Sequence, residues 1–243
     1  MSNLPTLAKG PVLLPGTFDK DAIVFIDAEV SPETGQIVDL GACRADGRFF
    51  HSSNVAAFKE FCKGADFVCG HNIVAFDMQY LRPVLGDGPQ AVDTLPLSAL
   101  LFPRKRFHNL LKDEKLLTDE LNNPLSDARK AMALFEEEVA AFNELPGVLQ
   151  RLFCAMLKNR PEFAGFFRCL NVQTPTFADP AGVIKRLMAD RLCIHADLDG
   201  LAKRQPAELA YALAFIRAAE PADVIPPWVN TNYPATQSVL NAL

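Results

Sequence analysis

What this 243-residue chain lacks narrows the reading first. Its six cysteines (Cys43, Cys62, Cys69, Cys154, Cys169 and Cys193) include no CxxC pair, and no Cys/His cluster has zinc spacing. A zinc module and a disulfide scaffold are therefore not expected; scattered thiols fit a reducing compartment, and the protein is read as cytoplasmic. No apolar run is long enough to cross a membrane. The opening stretch, MSNLPTLAKGPVLLPGTF, is interrupted by prolines and has no basic region ahead of an apolar core, so a signal peptide is not expected. There is no GxxxxGK[ST] phosphate loop, no internal repeat and no low-complexity tract. A broadly basic coat is missing too: net charge is −5. Residues 1–145 carry 14 Lys and Arg against 21 Asp and Glu, whereas residues 146–243 carry 10 against 8. An acidic first part grips phosphates poorly unless cations cover some of its carboxylates.

What is present is a core-forming, 49% hydrophobic composition, enough for one large domain or one domain plus a smaller helical one. Residues 1–20 read as an irregular lead-in. AIVFIDAE (22–29) is apolar and β-branched, the pattern of a buried strand. QIVDLGAC (36–43) and GRFFHS (47–52) follow as two more strands, making a meander. VAAFKEFCKG reads as a helix, DFVCGH as a strand, 73–83 as a helix stopped by Pro83, and QAVDTLPL as a strand. Residues 97–117 read as mostly helical, and PLSDARKAMALFEEEVAAFN (124–143) as a strong helix with Pro124 and Ser126 near its start. Strands alternating with helices imply an α/β fold, a mixed sheet with helices on both faces over about residues 21–145. From residue 146 the pattern is helical, with segments at 148–170, 180–194 and 206–219, and suggests a smaller all-helical region serving as linker or docking module. The final helical pattern runs to the last residue without a capping signal, as in a fragment of a longer chain.

Four acids stand out. Asp27 and Glu29, two apart on the first strand, share one face and are flanked by apolar Ile26 and Ala28. Asp77 falls in the first turns of the helix after HNIVAF, and Asp127 in the first turn of the long helix. Each alone is ordinary: a strand end meeting solvent, or an acid near a helix N-terminus. Together, at the ends of one strand and two helices, they can converge on one pocket edge. Clustered carboxylates repel one another unless hard cations neutralise them, and an oxygen-only set suits Mg²⁺ or Mn²⁺. Two such ions roughly 3.5–4 Å apart activate water and stabilise a departing oxygen in phosphodiester cleavage.

FIDAE, GHNIVAFD, VDTLPLSALLF and NNPLSDARKA, in that order, resemble the successive motifs of the DEDD (DnaQ-like) 3′–5′ exonuclease superfamily over about residues 22–140. The resemblance implies a ribonuclease-H-like fold, two divalent metals and release of 5′-mononucleotides from a 3′ end of nucleic acid, single-stranded DNA first among them. It implies that Asp27 bridges both metals, Glu29 and Asp127 complete one site, and Asp77 holds the other. Ala28, Asn72 and Phe76 then shape the substrate side. A weaker likeness links the ELNNPLSDA stretch to the N-terminal part of some bacterial RecQ-type helicase fusions, which would make a fused helicase a partner.

The chain departs from that superfamily at its general base. The positions where one branch has His and the other Tyr are Asn122 and Asn123, and an amide takes no proton at neutral pH. Three alternatives follow: Asn122 orients a water already acidified by metal; His71, His108 or His195 reaches the site; or the domain holds a 3′ end without cutting it well. His108 is the leading histidine for a substrate role. Arg104 and Arg106, in the RKR run at 104–106 with Lys112 and Lys115 nearby, are candidates for holding backbone phosphates, and Phe102 and Phe107 for stacking on bases. Asp93 reads as structural.

Overall fold

The computed structural model describes residues 17–110, 123–172, 179–188, 191–220 and 223–243. Five strands form one mixed sheet: β1 (Ile23–Val30), β2 (Ile37–Cys43), β3 (Phe49–His51), β4 (Phe67–Gly70) and β5 (Gln90–Asp93), in the order β3-β2-β1-β4-β5. The first three are an antiparallel meander, while β4 and β5 run parallel to β1. The parallel strands need crossovers, and the chain supplies helices for both: α1 (Val55–Cys62) before β4 and α2 (Met78–Leu85) before β5. After β5 come α3 (Thr94–Leu101) and the long α4 (Pro124–Glu144). The α/β class with helices on both faces of a mixed sheet is thus as expected.

Alternation along β1 divides its side chains between two cores. Val24, Ile26 and Ala28 enter a small one closed by Phe58 and Cys62 of α1 and Met78 and Leu81 of α2. Ile23 and Phe25 enter a large one with Ala128, Phe135 and Phe142 of α4. The helices beyond Leu145 join this same large core: α5 (Gly147–Leu157), α6 (Pro161–Cys169), α7 (Pro180–Met188), α8 (Leu198–Arg204), α9 (Pro206–Ala218), α10 (Pro227–Asn232) and α11 (Thr236–Ala242). Phe166 of α6 meets both Phe135 and Phe142 edge-on, at 6.1 and 5.3 Å between ring centroids. Gly165 lets the α6 backbone rest on the carbonyl of Ala91, which covers the outer edge of β5. The C-terminal helices therefore lie on the sheet itself.

Several expectations are corrected. Residues 73–77 are a turn, and α2 begins only at Met78 and carries Pro83 inside it. QAVDTLPL is a four-residue strand followed at once by α3, because the Asp93 carboxylate accepts the Leu95 N–H and caps a helix there. The stretch 148–170 is two helices, since Pro161 keeps Arg160 extended and starts a new helix at its own first position. The helix expected over 97–117 ends at Leu101, and residues 102–110 are turns and irregular chain; residues 111–122, with Lys112, Lys115 and Asn122, lie outside the described residues.

Candidate acidic site

Asp27 and Glu29 stand on the face of β1 that looks toward α4, at the end where the parallel strands finish. Directly across from Asp27 on β2 is Gly41. A side chain there would collide with the backbone of Pro124 and Leu125, so the bare glycine lets the start of α4 sit on the sheet beside Asp27. Asn123 caps that helix, its Oδ1 accepting the Ser126 N–H at 3.1 Å, and Pro124 occupies the first turn, where a missing N–H costs nothing. Asp127 follows in that first turn.

Asp77 arrives from the other side of β1. It is 4% exposed, stands at the N-cap position of α2, and its Oδ1 accepts the Ala28 N–H at 3.2 Å. The loop leading to it is held by Asp93 at the end of β5. The two Asp93 oxygens accept the N–H groups of Asn72 (2.9 Å), Val74 (3.0 Å) and Leu95 (3.1 Å). Asn72 adopts the left-handed region, φ 63°, which turns the chain sharply after β4. Asp93 is therefore structural, as expected, and what it structures is the approach of Asp77.

The acids around Asp27 bear on its charge. Burial raises the Asp27 carboxyl to about 8, and the charges of Asp77, Asp127 and Glu29 push it the same way. Asp77 is raised to about 7, chiefly by burial, against the opposing pull of its backbone hydrogen bonds; Asp93 and Glu29 add to the rise. Such a cluster holds more negative charge than its surroundings neutralise, and it relaxes by taking up protons or cations. Lys130 supplies partial compensation, its Nζ lying 3.4 Å from Asp127 Oδ1. Among the described residues, no three His, Cys, Asp or Glu side chains already stand grouped as a finished metal site. The donor set nevertheless fits a hard divalent ion: all oxygen, crowded and in excess of positive charge.

Other predicted residues fall in varied places. Phe76 is 48% exposed beside the Asp77 loop, edge-on to Tyr80 at 6.1 Å. Ala28 turns its methyl into the small core, so only its backbone N–H faces the acids. His108 is buried, with Nδ1 2.9 Å from Ser98 Oγ, and His71 likewise places Nδ1 2.9 Å from Thr94 Oγ1. Burial lowers both rings to about 4, and the Nε2 of each is enclosed with no hydrogen-bond partner among the described residues, so neither opens on the acidic site. The substrate role expected of His108 loses its access to solvent in this way. Arg104 turns to Asp223 (3.0 Å) and Glu220 (3.7 Å), beyond α9, rather than toward the acids. Arg106 lies over the exposed Phe107 ring, and Phe102 is half-buried under Lys105. His195 is exposed between α7 and α8. The remaining histidine, His51, was not singled out in the sequence; it ends β3 and bonds Asp39 on the α4 side of the sheet.

Among the described residues no helix is long and apolar enough to cross a membrane. Comparison with protein-family models, with curated proteins and with solved structures returned no match.

Proposed function

We propose that this protein is a metal-dependent 3′–5′ exonuclease of ribonuclease-H-like fold that hydrolyses phosphodiester bonds at DNA 3′ ends. The observation that carries this reading is the meeting of Asp27 and Glu29 on β1, Asp127 in the α4 turn seated on Gly41, and Asp77 hydrogen-bonded to the Ala28 N–H at one end of the sheet. Asp27 is central, with Glu29 and Asp127 on the β2 side to hold one Mg²⁺ or Mn²⁺ and Asp77 on the β4 side to hold another. The bound ions would supply an acidified water and neutralise the leaving oxygen. The chain's own groups then divide the remaining work. Asp93 keeps the 71–77 loop in the shape that aims Asp77. Phe76 offers a solvent-facing ring on which a terminal base stacks. Lys130, already drawn to Asp127, faces the phosphate once that carboxylate is engaged by a cation.

The test is digestion of a 5′-labelled single-stranded oligonucleotide with Mg²⁺ or Mn²⁺, beside Asp27→Ala. Stepwise shortening with mononucleotide release is expected of the wild type and none of the variant. A variant that degrades the oligonucleotide as fast as wild type sinks the assignment.

A second reading, a module that holds 3′ ends without cutting them, gains support from Asn123, whose side chain is engaged as the α4 cap and stands where a base is needed. It predicts metal-dependent DNA binding with no product. An Asn122→His change that sharply raises the rate would favour this crippled site; no change favours a site that works without a base at that position.

A further inference from the structure

The outer side of β5 carries a cleft that the four acids do not line. It holds about 300 Å³, between α2, the turn at 86–89, the start of β5 and the first turn of α6. That volume is at the small end of ligand pockets, room for one small molecule and too little for a polymer strand. Met78 and Arg82 stand four apart and so share one face of α2, and Val74 precedes them in the turn. Gly86 ends that helix at φ 72°, a conformation glycine adopts freely, and turns the chain past Asp87 to Gln90 and Ala91. Gly165 seats α6 on the Ala91 carbonyl, which brings Pro161 and Ala164 to the other side of the cleft.

The lining is of two kinds. Val74 and Met78 on the α2 side, with Pro161 and Ala164 on the α6 side, are apolar. Three polar groups border them. Arg82 is exposed, and among the described residues no carboxylate pairs with it. Asp87 is exposed in the turn. Gln90 is fixed: its Oε1 accepts an N–H of Arg168 Nη1 at 3.1 Å, which leaves its NH₂ as the end that donates to a ligand. Together these groups ask for an anionic end for the guanidinium, an N–H edge for the carboxylate, an acceptor for the amide and ring faces for the apolar walls. Inorganic phosphate lacks the ring and the N–H edge, an aromatic acid lacks the N–H edge, and a nucleoside lacks the anionic end. A 5′-mononucleotide has all four.

We propose that this cleft binds a 5′-mononucleotide, with its phosphate on Arg82, its base between the apolar walls and the polar edge of the base on Asp87 and Gln90. The cleft is separate from the acidic centre. Asp77 stands between Val74 and Met78 in the sequence, yet its carboxylate reaches the Ala28 N–H on β1, whereas Val74 and Met78 line the cleft. None of the four acids and no metal takes part, so the proposal stands apart from the nuclease reading above.

The experiment uses the full chain in EDTA, which keeps divalent ions off the acidic centre. Calorimetry and the NMR signal of the Met78 methyl follow titration with 5′-AMP, adenosine and inorganic phosphate. 5′-AMP is expected to bind and to move the Met78 methyl, with adenosine and phosphate each weaker by about tenfold or more. Arg82→Ala, a change at an exposed residue whose fold a thermal melt checks, is expected to weaken 5′-AMP by about tenfold and to leave adenosine within about twofold. Ala164→Leu fills the cleft and should abolish binding of both, while Asp27→Ala should bind 5′-AMP as wild type does. No binding of 5′-AMP at millimolar concentration overturns the proposal, and so does an Arg82→Ala chain that binds it as tightly as wild type. Loss of binding in Asp27→Ala also overturns it, by placing the nucleotide at the acidic centre. A chain that binds 5′-AMP in EDTA but cuts no oligonucleotide keeps this site and loses the nuclease reading; one that cuts without binding 5′-AMP does the reverse.

Discussion

The two faces of the sheet are built differently. One is closed by the short helices α1 and α2 over a compact cluster around Phe58 and Ile73. The other carries α4 and draws in side chains from nearly every helix after it, with Phe135, Phe142, Phe153, Phe163 and Phe166 all buried. Asp27, Glu29 and Asp127 belong to the second face, while Asp77 reaches them through the backbone of Ala28. The difference teaches that the candidate site leans on the larger core. The small core supplies the crossovers, and the large one fixes the helix whose first turn completes the acid set.

The largest expected effect comes from ending the chain after Leu145. Phe135 and Phe142 would lose Phe166, and β5 would lose α6. Each large buried ring is worth about 3–5 kcal/mol, against a total stability of about 5–15 kcal/mol. Residues 17–145 alone should show no cooperative unfolding by circular dichroism. A cooperative transition would mean that the C-terminal helices are an appendage to the sheet.

Next in size is Asp93→Ala. It strips the hydrogen-bond partners from the Asn72, Val74 and Leu95 N–H groups, at about 1–3 kcal/mol for each that stays buried and unpaired. Urea denaturation should show this loss, and nuclease rate should fall about 10–100-fold as Asp77 loses its aim.

Gly41→Ala sets a methyl against the α4 backbone. The expected destabilisation is about 1–3 kcal/mol, with activity falling as Asp127 shifts. Ile26→Val on the small face is the control. It should lower stability by about 0.5–1.5 kcal/mol and leave the rate unchanged, and equal activity losses from the two would erase the distinction between faces.

Glu138 gives the smallest effect and the opposite sign. It is 0% exposed in α4, neither oxygen has a hydrogen-bond partner among the described residues, and burial raises its carboxyl well above the usual range, with Asp93 adding to the rise. A raised folded-state value means that folding favours the proton. The associated stability is present below the unfolded value of about 4.3 and is lost as pH climbs toward the folded one. Glu138→Met should therefore stabilise the protein by about 1 kcal/mol, more at pH 8 than at pH 5, as read by thermal melts at both.

Much of this architecture was legible because it is local. Alternation exposed the meander and placed Asp27 and Glu29 on one face, and Pro124 with Ser126 marked the start of α4. What escaped depends on contacts distant in sequence. The turn at 73–77 exists because Asp93, about twenty residues later, holds the Asn72 and Val74 amides, and no periodicity carries that information. The DTLPL helix hid inside a largely apolar run whose only charged residue is the same Asp93. His51 looked like a polar strand end, since its partner Asp39 is defined by register across a hairpin.

Gly165 has one more consequence. A sheet of this kind has two rims at which a foreign strand can add. By letting α6 lie flat on Ala91, the glycine seals the rim at β5, and the opposite rim is β3, only three residues long. Among the described residues neither border offers a long ladder of unpaired amides, so the fold resists self-templated strand addition, and a bulkier residue at 165 would turn a closed border into a sticky one.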